Sequence, residues 1–179
     1  MYRNNPFRLS PHRFVWLRIL GGVLFAALLT SCAGKKEPQE KTVNLELVIE
    51  ADDRVNADGQ GRPTPIQLQV FELKSRSAFE EADYFSLQAK PRQILGNDLV
   101  ESNELVLRPS DRKVIKRRLD GQTVALGVIA GYRDLGHSVW RATYMLPPKQ
   151  AQAWFGSSSQ NIRVRIKVGA DAVLIAETD

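Results

Sequence analysis

The chain has 179 residues, with 25 lysines and arginines, 20 aspartates and glutamates, and one cysteine. Four of the basic residues and none of the acidic ones lie in residues 1–31, which leaves 21 basic against 20 acidic residues in the rest of the chain. A nearly balanced charge gives little support to nucleic-acid binding, and one cysteine excludes a disulfide within the chain. Residues 32–179 are enough for one domain with its own hydrophobic core.

Residues 1–31 have the pattern of a secretory signal, because a basic head that is free of acidic residues precedes an apolar run over residues 19–29. The run is shorter than the roughly 20 residues that span a bilayer. Leu29-Thr30-Ser31-Cys32 follows it and resembles the lipobox of bacterial lipoproteins. An ordinary signal or an N-terminal anchor with a chance cysteine is the alternative.

The lipobox resemblance implies that Cys32 becomes the first residue of the mature chain, carrying a diacylglycerol and an N-linked acyl chain such as palmitate. Several acyl chains hold a protein on a membrane far more firmly than one. Ala33 and Gly34 follow Cys32, whereas lipoproteins kept in the inner membrane usually carry Asp just after the cysteine. The expected location is therefore the periplasmic face of the outer membrane. No other cofactor is expected.

Residues 32–41 are then an acylated N-terminus and a flexible tether, because residues 33–41 are polar and lack an apolar pattern. Residues 42–179 are predicted to form the folded domain. Its first strand is indicated by apolar residues that alternate with polar ones from Val43 to Glu50. Residues 52–65 are rich in turn-forming residues and predict a long loop, and residues 66–73 predict a second strand.

A change of period predicts a short helix after residue 77. Ser77 and Glu80 have the spacing of a capping box, and the helix is expected to end before Pro91. Asp120-Gly121 predicts a tight hairpin. Six further strand-like runs follow the helix, at residues 104–107, 114–119, 123–130, 138–145, 162–168 and 172–175. The fold class is therefore mainly β, an antiparallel β-sandwich of about eight strands with a short inserted helix.

The sequence offers little catalytic chemistry. His137 is the single histidine after the signal, flanked by Gly136 and Ser138, and is interpreted as a surface turn residue. Residues 56–59 resemble part of a calcium loop, but an EF-hand register would place Arg54 and Pro65 at two ligand positions, so an Asx turn is favoured. We expect no metal site and no small-molecule substrate, and the chain is not expected to be an enzyme.

A basic cluster lies near the predicted strand 114–119. It consists of Lys113, Lys116, Arg117 and Arg118. The cluster could meet anionic lipid or an acidic partner, but a solvated strand end is the preferred interpretation because Asp111 and Asp120 bracket it.

An ordered series of short motifs resembles a known family. The motifs include Asn56-Ala57-Asp58-Gly59-Gln60-Gly61-Arg62-Pro63-Thr64-Pro65, Gln69-Val70-Phe71-Glu72-Leu73, Ala82-Asp83-Tyr84-Phe85, Ala130-Gly131-Tyr132-Arg133-Asp134 and Trp140-Arg141. In this order, and after a lipobox, they resemble the TssJ family, the outer-membrane lipoproteins of type VI secretion systems. The resemblance implies a transthyretin-like β-sandwich that binds the periplasmic C-terminal part of TssM, an inner-membrane protein.

In that family the loop between the first two strands helps to bind TssM, and the corresponding loop here is residues 52–65. The residues carried over as partner-binding are Arg54, Val55, Asn56, Asp58, Gly59, Arg62 and Pro63. Arg54 and Arg62 are expected to meet partner carboxylates and Val55 to supply apolar contact, while prolines restrict the loop. A plain surface connection is the alternative for this loop.

Core packing is the preferred interpretation of five aromatic residues, Phe79, Tyr84, Phe85, Tyr132 and Trp140.

A small-ligand carrier and a pilotin-like chaperone remain as alternative functions. The carrier is less favoured because the inward faces of the predicted strands are aliphatic.

Overall fold

The computed structural model describes residues 43–148 and 160–178, all of which belong to one compact unit. The predicted signal, the tether and Thr42, with which the predicted domain begins, lie outside the described residues. No helix within the described residues is long and apolar enough to cross a membrane.

Within the described residues, eight strands form two four-stranded sheets. The strands are β1 Val43–Ala51, β2 Ile66–Leu73, β3 Leu99–Leu107, β4 Arg112–Leu119, β5 Ala125–Ala130, β6 Arg141–Met145, β7 Gln160–Val168 and β8 Val173–Glu177. Sheet A has the order β4-β1-β7-β8 and sheet B the order β3-β2-β5-β6. Neighbouring strands are antiparallel except for β1 and β7, which are parallel. The predicted eight-stranded, mainly antiparallel sandwich is confirmed.

Burial in sheet A follows the alternation of apolar and polar residues along its strands. The inward side chains of β1 are almost fully buried, and those of β7 are buried beside them; they are Val43, Leu45, Leu47, Ile49, Ile162, Val164, Ile166 and Val168. The residues between them on β7 include the exposed Arg163 and Lys167 and the half-buried Arg165. One face of sheet A therefore packs on the core and the other faces water, although its β1–β7 pair is parallel.

The two central strands of sheet B, β2 and β5, are buried on both faces. Leu68 and Val70 of β2 belong to the cluster between the sheets, whereas Phe71 and Leu73 belong to a second cluster on the other side. Short helices cover that second side, at α1 Ser77–Glu81, α2 Tyr84–Ala89 and α3 Pro91–Leu95, followed by a 3₁₀ turn at Gly96–Asp98. The protein thus has three layers, which are the helices, sheet B and sheet A.

The expectation of one capped helix is wrong in two respects. The chain is extended at Ala82, where ψ is 149°, and this ends α1. The expected capping box is absent because Arg76 is the N-cap and provides no side-chain hydrogen bond; Glu80 forms an ion pair with Arg76 instead, at 3.5 Å. The side-chain cap belongs to α2, where Asp83 accepts a hydrogen bond from the backbone N–H of Ser86 at 3.0 Å.

The predicted tight hairpin at Asp120-Gly121 is also wrong. This turn connects β4 of sheet A to β5 of sheet B, so the strands on either side of it do not pair. The backbone N–H of Thr123 donates to the carbonyl of Asp120 at 3.1 Å, and Gly121 is not among the glycines with positive φ. A two-residue I′ hairpin would need positive φ there, so the pair makes an ordinary turn between layers.

The aromatic residues divide into core and surface positions. Phe79, Tyr84 and Tyr132 are buried, as predicted, and Trp140 is half-buried. Phe85 is 67% exposed, so its predicted place in the core is wrong. Phe85 follows Tyr84 on α2 and lies about 100° further around the helix axis, away from the core cluster that Tyr84 joins.

An ion pair joins the two sheets. Arg117 of β4 is largely buried and lies 2.9 Å from the Glu72 carboxylate, whose side chain is 2% exposed. The hydroxyl of Thr123 donates to the same carboxylate at 3.1 Å. Burial raises the pKa of Glu72, while Arg117 opposes that shift. Arg117 is therefore an exception to the preferred interpretation of residues 113–118 as a solvated strand end, whereas Lys113, Lys116 and Arg118 are exposed.

We predict that Gly127→Ala lowers the free energy of unfolding by about 1–3 kcal/mol, as overpacking does elsewhere. A Cβ at Gly127 would lie 2.7 Å from Cζ of Phe79, which is fully buried under α1. Urea denaturation of the two proteins measures the difference. Gly59→Ala is the matched control, because nothing lies within 4 Å of its added Cβ. Equal stability of the two variants would contradict the close packing of α1 on sheet B.

Candidate partner-binding site

Residues 52–65 connect β1 of sheet A to β2 of sheet B at one end of the sandwich. Strand β1 has nine residues and is therefore about 30 Å long. Its first residue, Val43, lies at the opposite end of the strand from the loop. The segment that precedes the domain therefore leads into one end of β1, and loop 52–65 leaves from the other end.

Asp58 organises the tip of the loop. Its carboxylate accepts hydrogen bonds from the backbone N–H groups of Gln60 and Arg62, both at 2.9 Å, and from Nε of Arg62 at 2.8 Å. The backbone N–H of Gly61, with φ at 76°, donates to the carbonyl of Asp58. The hydrogen bond from the Arg62 backbone is the largest of several that lower the pKa of Asp58. The expected Asx turn is confirmed.

Val55 and Asn56 fasten the loop to the rest of the domain. Val55 is fully buried in the core between the sheets. Asn56 is 5% exposed and has a positive φ of 50°. Its Nδ2 donates to the carbonyl of Pro65, and its Oδ1 accepts from the backbone N–H of Arg133, both at 2.9 Å.

These positions correct one expectation from the sequence. Val55 was expected to supply apolar contact to a partner, but its side chain has no exposed surface in the folded domain. Asn56 is likewise committed to internal hydrogen bonds. Both residues shape the loop from within.

The exposed part of the loop is polar and carries charges of both signs. The side chains of Arg54 and Arg62 are 79% and 71% exposed, and Gly59 and Pro63 are also exposed. Arg54 lies 3.9–4.0 Å from the carboxylates of its neighbours Asp52 and Asp53. The loop therefore presents two guanidinium groups on a backbone that is held by its own hydrogen bonds.

A second loop, residues 131–140, lies against the first. The Nε of Arg133 donates to the hydroxyl of Thr64 at 3.3 Å, and the hydroxyl of Thr64 donates to the carbonyl of Asn56 at 2.6 Å. Tyr132 donates to the carbonyl of Gly169 at 3.2 Å, and burial raises its pKa. No binding role was predicted from the sequence for this loop, although residues 130–134 are among the family motifs.

His137 occupies the surface position that was expected. It ends a 3₁₀ turn, Leu135–His137, and its Nδ1 lies 2.9 Å from the Asp134 carboxylate, with both side chains mostly exposed. Within residues 43–148 and 160–178, no group of three or more histidine, cysteine, aspartate or glutamate side chains is arranged to hold a metal ion.

These features define a small β-sandwich domain with a hydrogen-bonded loop, residues 52–65, at one end. The family model of the type VI secretion lipoproteins, described as T6SS-SciN, VasD, EvfM, TssJ and VC_A0113, matches residues 43–171. The chain belongs to this family. Its members are structural lipoproteins of a secretion system and not enzymes, and no curated protein is matched.

Solved structures show the same relationship. The T6SS lipoprotein TssJ1 from Pseudomonas aeruginosa is 34% identical with a TM-score of 0.69, and the match covers 76% of this chain and 97% of that chain. For Lip from Serratia marcescens, a membrane-bound component of the type VI secretion system, identity is 28%, the TM-score 0.64 and coverage 74% and 96%. The fold is thus the transthyretin-like β-sandwich of the TssJ lipoproteins.

A third similarity concerns the fold alone. A chain in the structure named T6SS protein TssM C-terminal domain (869-1107) from EAEC is 22% identical with a TM-score of 0.58. The match covers 74% of this chain and 99% of that chain.

We predict that Asn56→Ala lowers the free energy of unfolding by about 1–3 kcal/mol, because it leaves the Arg133 N–H and the Pro65 carbonyl without their partner. Hydrogen exchange at the Arg133 amide is expected to accelerate with it. Gln60→Ala, at an exposed loop position, is the control and is expected to change stability by less than about 0.5 kcal/mol. An unchanged exchange rate at Arg133 would refute the role of Asn56 as the link between the two loops.

Proposed function

We propose that the protein is anchored through lipids on Cys32 to the periplasmic face of the outer membrane and tethers the periplasmic C-terminal domain of TssM. The observation that carries the proposal is the exposed, internally hydrogen-bonded loop 52–65, at the opposite end of β1 from the predicted tether. Membership of the type VI secretion lipoprotein family supports the anchor. A chain of the same fold in a structure named for the TssM C-terminal domain is consistent with the partner.

The loop is suited to binding because it is ordered before it meets a partner. Asp58 holds the tip through three hydrogen bonds, and Val55 and Asn56 hold the base. A preorganised loop loses less conformational entropy on docking than a flexible one. The proposed contact residues are therefore Arg54, Gly59, Arg62 and Pro63, while Val55, Asn56 and Asp58 keep the loop in its binding shape.

The chemistry of the exposed loop indicates what it binds. Arg54 and Arg62 present planar guanidinium groups that can pair with carboxylates in a fork geometry. The Asp58 carboxylate bonds Nε and one terminal nitrogen of Arg62, which fixes the direction in which this side chain points. A partner surface with accessible carboxylates fits this arrangement best.

The anchor sets how far the domain can move from the bilayer. Ten residues, 33–42, separate Cys32 from Val43, and a fully extended chain of that length spans at most about 35 Å. Three acyl chains would make the membrane attachment essentially permanent. The loop end of the domain is then free to meet a protein that reaches across from the inner membrane.

A ligand-carrier function receives no support from the described residues. The space between the sheets is filled by buried aliphatic side chains. A groove of about 820 Å³ exists, but it lies on the outer side of sheet A, where polar and charged residues such as Asn44, Lys116 and Arg163 line it.

We predict that the double variant Arg54→Ala, Arg62→Ala binds the TssM periplasmic C-terminal domain at least about tenfold more weakly, because two exposed charged contacts are lost. Isothermal titration calorimetry measures the affinity. The control, Lys74→Ala with Arg92→Ala, removes two exposed charges from the helical layer and is expected to bind normally. Replacing the whole loop is a poorer test because Val55 and Asn56 support the fold. Wild-type affinity of the Arg54 and Arg62 variant would remove these arginines from the interface.

We predict that Cys32→Ser releases the protein from the membrane fraction and abolishes secretion, since no other thiol in the chain can take a lipid. Cell fractionation locates the protein, and metabolic labelling with palmitate reports acylation. Label is expected in the wild type and not in the variant. Secretion at the wild-type level by the unlabelled, soluble variant would show that the anchor is dispensable.

A further inference from the structure

The outer face of sheet A carries a dense and unequal set of charges. We call this set the basic face; it comprises Arg112, Lys116 and Arg118 on β4, Glu46 and Glu50 on β1, and Arg163, Arg165 and Lys167 on β7. The strand register places these side chains on one side of the sheet, with Glu46 opposite both Lys116 and Arg163. Six cations thus face water beside two carboxylates, an excess of four positive charges.

Each of the two carboxylates pairs with two cations, so the carboxylates do not cancel the excess of positive charge. Glu46 lies 3.1 Å from Lys116 and 3.1 Å from Arg163, and Glu50 lies 3.2 Å from Arg112 and 3.7 Å from Arg165. The hydrogen bond from Lys116 is the largest effect that lowers the pKa of Glu46. Both carboxylates are on the central strand β1, so they hold the flanking cations in place while cations outnumber them across the whole face.

Arg118 and Lys167 complete the face at its two ends. Arg118 is opposite Asn44 near the start of β1, and Lys167 is opposite Glu50 near its end. Both side chains are exposed, and among the described residues neither has an ion-pair partner within 4 Å. Two aliphatic side chains are exposed on the same side of the sheet, Val114 at 43% and Leu174 at 60%.

We propose that the basic face docks on the surface of a membrane that contains anionic phospholipid. Its cations are spread over three strands, about 10 Å across, and about 20 Å along them, which suits an extended layer of phosphate groups. Cations with a few exposed aliphatic residues are the usual composition of a surface that binds anionic lipid. An acidic protein segment is the competing occupant.

The position of the tether favours lipid over an acidic protein segment. Strand β1, at the centre of the basic face, begins at Val43, directly after the segment that leads from Cys32. This step rests on the proposed lipid anchor. An anchored domain stays within about 35 Å of the bilayer, so the local concentration of lipid phosphate around the basic face is permanently high. A protein partner would have to compete with that surface.

Docking would also fix the orientation of the domain. With the outer face of sheet A on the lipid, β1 lies parallel to the membrane, and the contact uses none of the exposed residues of loop 52–65. The helical layer, on the far side of sheet B, faces away from the membrane. The basic face would therefore act as a second, non-covalent attachment that limits rotation about the tether.

The test uses the mature chain, residues 32–179, with Cys32→Ser, so that no acyl chain contributes to binding. Sedimentation is measured with vesicles of phosphatidylcholine and phosphatidylethanolamine, with and without phosphatidylglycerol. We expect binding only to the vesicles with phosphatidylglycerol, and we expect added salt to weaken it. Arg118→Glu with Lys167→Glu should reduce this binding about tenfold or more.

The control variant, Lys74→Glu with Arg92→Glu, makes the same change in net charge at exposed positions of the helical layer and should bind like the parent. Equal loss in both variants would show that net charge alone drives binding, and no binding to any vesicle would also overturn the proposal. Retention on immobilised poly-glutamate without vesicle binding would assign the face to an acidic protein instead. Failure of this experiment would leave the palmitate labelling of Cys32 unaffected, so the membrane-docking proposal and the lipid-anchor proposal can fail separately.

Discussion

Burial of β2 and β5, the central strands of sheet B, on both faces is the constraint on which the rest of the structure depends. Strand β2 contributes Leu68 and Val70 to the core against sheet A and Phe71 and Leu73 to the cluster under the helices. The helices are too short to be stable alone and are held by this second cluster. Sheet A is consequently an outer layer, and its second face is left to water and to charged residues.

The strands in which apolar and polar residues alternate could be predicted because each of them has one face exposed to water. In β1 and β7 the buried and polar positions alternate almost without exception, which is the period-two signal. The helical segment was harder to predict, because its breaks depend on caps such as Asp83 and on which residues face sheet B. The order of the strands is set by contacts between layers, and for this reason Asp120-Gly121 resembled a hairpin turn although it joins the two sheets.

The candidate binding loop, residues 52–65, shows where sequence reasoning stops. Its position between the first two strands followed from composition and resemblance, and the Asx turn followed from Asp58. The burial of Val55 and Asn56 could not be predicted, because a loop has no period that separates inward from outward residues. Arg133 was missed since its contact with the loop joins residues about 70 positions apart. Only the fold brings these two segments together.

The charged residues of the domain and the proposed lipid anchor act over different distances. At physiological ionic strength the Debye length is about 8 Å, so Arg118 and Lys167 attract only a surface that is already close. The proposed lipids on Cys32 would supply that closeness for the membrane and not for TssM. In the proposed arrangement the acyl chains supply proximity and the basic face supplies orientation, while Arg54 and Arg62 would act when the TssM domain arrives. Strand β1, which is continuous from Val43 to Ala51, keeps the end that follows the proposed anchor and loop 52–65 at a fixed distance within the domain.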